Sequence, residues 1–61
     1  MCEANAYIIR DGQEELVMEA VDKIEPENDG LRMVNIFGDQ KFMHAYIHAL
    51  FLVNHKILLK D

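Results

Sequence analysis

Residues 2–12, Cys2-Glu3-Ala4-Asn5-Ala6-Tyr7-Ile8-Ile9-Arg10-Asp11-Gly12, decide the fold class. Cys2, Ala4, Ala6 and Ile8 occupy every second position, and Glu3, Asn5, Tyr7 and Ile9 fall between them. Successive side chains of a strand point to opposite faces, so this spacing predicts a strand with the first set toward a core. Asp11-Gly12 follows at once. A tight hairpin needs positive φ at its central residues, and Asp-Gly supplies it at little steric cost. The stretch therefore reads as a strand that turns back on itself.

The same reading extends outward. Further breaks stand at Pro26-Glu27-Asn28-Asp29-Gly30, at Gly38-Asp39 and, more weakly, at Asn54-His55. Pro26 has no N–H for a central strand and is expected in a connection. Between the breaks lie segments of strand length. Glu14 to Ile24 puts Leu16, Met18 and Ala20 on one face, with a bend or bulge before Val21 and Ile24. Leu31 to Phe37 is apolar on both sides, as in a central or doubly covered strand. Lys41 to Leu50 splits into Met43, Ala45, Ile47 and Ala49 against Phe42, His44, Tyr46 and His48. Helix competes over Lys41 to Val53, because Phe42, Ala45, Ala49 and Leu52 come near helical spacing; we favour the strand. Lys56 to Lys60 contributes Ile57, Leu58 and Leu59. About five antiparallel strands in 61 residues predict a small all-β domain, 1–61, bent into a barrel.

Composition narrows function. The 6 Lys+Arg against 11 Asp+Glu give a net charge of −5, too acidic for the basic face that phosphate binding needs. The same deficit argues against an anionic membrane surface, and the longest apolar run, Ala49 to Val53, is far too short to span a bilayer. No signal peptide is expected, and one free cysteine fits a reducing cytoplasmic setting. A single Cys excludes an intrachain disulfide, so metal or self-association are the staples to consider for so small a core. An exposed edge strand would itself invite pairing with a second copy.

Cys2 is the candidate for chemistry. If Met1 is removed, the α-amine and thiol of Cys2 close a five-membered chelate ring with a metal. If Met1 stays, its amine, the Cys2 amide nitrogen and the sulfur form two fused rings. Both suit a square-planar nitrogen–sulfur ion such as divalent nickel or copper. Free thiol and α-amine have pKa values of about 8.5 and about 8, so metal binding should release protons. A small apolar residue at a strand start satisfies the same spacing, and one cysteine alone is a weak motif. His44 and His48, on one face of a strand, would stand about 13 Å apart and could not share an ion, although in a helix they could. His55 reads first as a turn residue and second as a ligand. Catalysis is not expected: there is no Ser, no Cys-x-x-Cys, no HExxH and no Gly-rich phosphate loop.

Four stretches together are more specific. Met1-Cys2-Glu3-Ala4-Asn5-Ala6-Tyr7, Glu15-Leu16-Val17-Met18-Glu19, Asn35-Ile36-Phe37-Gly38-Asp39 and Leu52-Val53-Asn54-His55-Lys56-Ile57-Leu58 resemble the CooT family of small nickel-binding proteins. The resemblance implies an SH3-like (Sm-like) β-barrel that works as a homodimer, with Cys2 as the Ni(II) ligand. It implies nickel delivery or storage for the maturation of carbon monoxide dehydrogenase. The chain departs from the family pattern at His44, Tyr46 and His48, where relatives more often carry Lys or Arg. That exchange removes a basic stripe and weakens the rival expectation, an RNA-binding or structural barrel without metal.

Overall fold

The computed structural model describes residues 3–61. Six strands follow one another: β1 (Ala4–Arg10), β2 (Gln13–Glu27), β3 (Gly30–Asn35), β4 (Gln40–Met43), β5 (Tyr46–Phe51) and β6 (Lys56–Lys60). They form one sheet in the order β4-β3-β2-β1-β6-β5. All neighbours are antiparallel except β1 and β6, which run parallel. The sheet is bent like a barrel wall, but its edges β4 and β5 are not hydrogen-bonded to each other.

The expectation of about five antiparallel strands is corrected to six, with one parallel pair. The extra strand comes from Lys41–Leu50, expected as one piece. Its first part pairs with β3 and its second with β6, at opposite edges of the sheet, which one straight strand cannot do. The chain breaks at His44 and Ala45, and Ala45 turns into the core. Helix is absent from this stretch because both parts find ladder partners.

Long β2 carries the bend. Its first half pairs with β1, from Gln13 to Val21, and its second with β3, from Val21 to Glu27. The predicted bulge is present: Ala20 has φ 56, and the β1 and β3 ladders both slip register near it. A second slip, between Ala6 and Tyr7, sets Met18 opposite Ala6 but Leu16 opposite Tyr7. Leu16 is therefore exposed on the outer face, not stacked with Met18 as its spacing suggested. Pro26 lies inside β2, opposite Leu31, and not in a connection. Beyond Val21 β2 has only β3 beside it, so a missing N–H is tolerated on the unpaired side.

The turns follow their residues. Asp11 (φ 53) and Gly12 (φ 75) both take the left-handed conformation, as a two-residue hairpin demands. Gly30 answers to space instead: a Cβ there would collide with the Met43 carbonyl oxygen of β4. The core is built from Ala6 and Ile8 of β1, Met18 and Val21 of β2, Leu31 and Met33 of β3, Ala45, and Ile57 and Leu59 of β6. Ile8, Met33 and Leu59 are its largest fully buried side chains. Each contributes about 1.5–3 kcal/mol by leaving water. Leu58 is buried as well, so β6 is covered on both faces. Phe37 was expected in a strand; it lies past the end of β3 and is 75% exposed.

Candidate metal centre

Cys2, the expected ligand, lies outside the described residues. What the structure shows is the setting of the residues that follow it. Glu3 leads directly into β1, the strand held between β2 and β6. The Glu3 carbonyl oxygen is 3.1 Å from His55 Nδ1. A carbonyl can only accept, so Nδ1 carries the proton and donates, and in the neutral ring the lone pair then sits on Nε2.

His55 owes this place to the turn between β5 and β6. Its φ is 53, its N–H donates to the Leu52 carbonyl at 3.4 Å, and its own carbonyl accepts from Asn5 N–H at 2.9 Å. The expectation of a turn residue holds, and the turn aims the imidazole at the start of β1. Glu3, Ala4, Leu50, Leu52, His55 and Ile57 also border an open apolar groove there.

The other histidines are elsewhere. His44 sits in the link after β4, with Nδ1 3.3 Å from Asp29 Oδ1 and its ring edge-on to Phe42. His48 is an exposed residue of β5, where the register slips between Ile47 and Ala49. The two are thus not on one strand face, as their spacing suggested. Among the described residues, no three His, Cys, Asp or Glu groups converge on a point that could hold a metal ion.

Two asparagines that carry no metal chemistry organise this end. Asn5 Oδ1 accepts the Ala20 N–H at 3.1 Å, and the Ala20 carbonyl accepts the Ile36 N–H at 3.0 Å. Nearly buried Asn35 folds the next turn around itself. Its Oδ1 accepts from Phe37 N–H at 3.0 Å and Asp39 N–H at 2.8 Å, and its Nδ2 donates to Asp39 Oδ2 at 3.2 Å. Hydrogen bonds therefore run from Asn35 and Ile36 through Ala20 and Asn5 to His55 and Glu3. Three of the four stretches that carried the family resemblance meet in this belt. Residue type pointed to it weakly, since Asn readily bonds nearby backbone in turns.

Charged groups elsewhere pair at exposed or half-buried positions. Arg32 Nε lies 2.8 Å from Glu27 Oε2 and Arg10 Nη1 lies 3.9 Å from Glu15 Oε1. Lys56 Nζ lies 2.6 Å from Glu14 Oε1, with the Tyr7 and Phe51 rings 5.3 and 5.8 Å away. No helix of the described residues is long and apolar enough to cross a membrane.

The family model for CooT, the CO dehydrogenase accessory protein, matches residues 1–60. The fold is also similar to a crystal structure assigned to CooT of Carboxydothermus hydrogenoformans. That match has a TM-score of 0.93 and 48% identity, and covers 98% of this chain and 97% of the other. No curated protein matches the chain. A match over nearly every residue, in sequence and in fold, places this chain in the CooT family of CO dehydrogenase accessory proteins.

Proposed function

We propose that this protein is a nickel-binding accessory protein, a metallochaperone or nickel store, that serves the maturation of carbon monoxide dehydrogenase. It acts in the cytoplasm as a homodimer and is not itself a catalyst. The observation that carries the reading is the family match, which includes the Met1-Cys2 start. Cys2 holds Ni(II) through its thiolate, with the terminal amine or an adjacent amide nitrogen closing the chelate ring.

The geometry around Glu3 supports this reading. A chelate made from a chain end binds well only if that end is held, because ordering it costs entropy. Here the residue after Cys2 is tied to His55, and β1 is paired on both sides from Asn5 onward. The His55 ring is held 3.1 Å from the carbonyl oxygen of Glu3, the residue that follows Cys2 in the sequence.

Isothermal titration with Ni(II) tests the proposal. The wild-type chain should bind tightly, with a thiolate-to-nickel absorption band in the near ultraviolet. Cys2→Ser should lose both and keep its fold. Equal affinities for the two proteins would overturn the assignment. His55→Ala, titrated alongside, shows whether the imidazole contributes to the site.

A further inference from the structure

The turn after β3 presents an aromatic ring to solvent and holds it in place. Phe37 is 75% exposed and its neighbour Ile36 42%. Asn35 Oδ1 accepts from the Phe37 and Asp39 N–H groups. Asn35 N–H donates to the Asp39 carbonyl at 3.0 Å, and Gly38 N–H donates to the Asn35 carbonyl at 3.1 Å. Gly38 closes the turn at φ 90. Left in water, the ring adds nothing to the core. Already fixed at its backbone, it loses little entropy when a partner covers it, and aromatic side chains are enriched as anchors of protein interfaces.

The register puts this turn at the end of the sheet where the Cys2 stretch begins. Ala4 stands opposite Val21, and Val21 opposite Asn35. Two strand spacings, about 10 Å, separate Ala4 from Asn35. Charge gathers at the same end. Six of the 11 Asp and Glu side chains lie beside a basic group. Among the described residues five do not. Four of those five, Glu3, Glu19, Asp22 and Asp39, stand within two residues of the line Ala4-Val21-Asn35 or are bonded to it. The fifth, Asp11, is in the hairpin at the other end of β1. The nearest basic residues are Lys23, opposite Val34 and 4.0 Å from Glu25, and Lys41, opposite Met33.

We infer that the Phe37 turn is the docking surface for the protein that receives the metal. The occupant is the CO dehydrogenase that this family serves. It meets the turn through an apolar pocket rimmed by Lys and Arg, which takes the Phe37 ring while its cations face Glu19, Asp22 and Asp39. The inference rests on the accessory role proposed above and names the surface through which that role is exercised. Complementary charge of this kind steers encounter and fixes orientation, and the buried ring supplies the affinity. A partner seated there meets the end of the sheet that Glu3, the residue after Cys2, leads into, so metal passes over a short path.

Biolayer interferometry of the full chain against immobilised, nickel-free CO dehydrogenase at low and high salt tests this. The wild type should bind, and more weakly at high salt. Phe37→Ser should weaken binding by about thirtyfold. The double variant Glu19→Lys with Asp22→Lys should slow association and flatten the salt dependence. Both should keep the circular dichroism of the folded sheet and the Ni(II) affinity of the wild type, because the altered side chains are in solvent. Leu16→Ser, at an exposed apolar site of β2 opposite Tyr7, should bind like the wild type. Undiminished binding by Phe37→Ser and by the double variant would overturn the surface and leave the accessory role standing. A wild type that does not bind the enzyme at either salt would overturn both, while the titration of Cys2 with nickel is judged separately.

Discussion

The bond between Asn5 and Ala20 joins the sheet's bend to the strand that follows Cys2, and removing it gives a quantitative test. Ala20 adopts φ 56, where the Cβ of an L-residue crowds the following carbonyl at a cost of about 1–2 kcal/mol. Two hydrogen bonds hold it there, from Ala20 N–H to Asn5 Oδ1 at 3.1 Å and from Ile36 N–H to the Ala20 carbonyl at 3.0 Å. Asn5→Ala removes the first and leaves a half-buried N–H unpaired, which costs about 1–3 kcal/mol. In so small a domain each kcal/mol moves the melting temperature by about 4–8 °C. The melting point should therefore fall by roughly 5–20 °C. Ala20→Gly should do the reverse: it removes the crowded Cβ, and the strain relieved exceeds the added chain entropy of glycine by up to about 1 kcal/mol. Thermal and urea unfolding of the wild type, both single variants and the double variant, followed by circular dichroism, completes the cycle. The reasoning fails if Asn5→Ala costs less than about 0.5 kcal/mol, or if Ala20→Gly destabilises by more than about 1 kcal/mol.

Three further outcomes follow from the same structure. Nickel binding should weaken as pH falls, because a thiolate and a deprotonated nitrogen bind metal only after losing their protons; equal affinities on either side of neutrality would count against that donor set. Gly30→Ala should cost about 1–3 kcal/mol of stability and so lower the urea midpoint, because its Cβ would press on the Met43 carbonyl and the Phe42 ring; an unchanged midpoint would show that β4 can move aside freely. Asn35→Ala should cost about 2–3 kcal/mol through its three lost hydrogen bonds. In Asn35→Asp the new carboxylate faces Asp39. Its deficit relative to wild type should shrink in acid, as protonation relieves the repulsion, and a deficit independent of pH would contradict the bond to Asp39.

Some of the fold could be read residue by residue. The alternation through Ala6 and Ile8, the Asp11-Gly12 hairpin, the bend near Val21 and the turn at Asn54-His55 depend on local geometry, and local residues encode them. Leu16 and Pro26 were misplaced for a shared reason. Their faces depend on where partner strands slip register or end, which a strand's own residues do not reveal. The break at His44-Ala45 was missed because period-two spacing continues straight through it. Only the pairing of β4 with β3 and of β5 with β6 divides the stretch.

The candidate site divides along the same line. The sequence by itself offered the expected donor, the Cys2 thiol, and its motifs pointed to the family that the comparison then showed. Only the tertiary structure decided that His55, 52 residues along the chain from Glu3, bonds that residue's carbonyl. It also decided that His44 and His48 stand apart, and that the end of β3 lies across Val21 from the start of β1. The physical reason is range. Periodicity and turn chemistry act over a few residues, whereas register, edge position and the meeting of distant side chains are set by which strands pair.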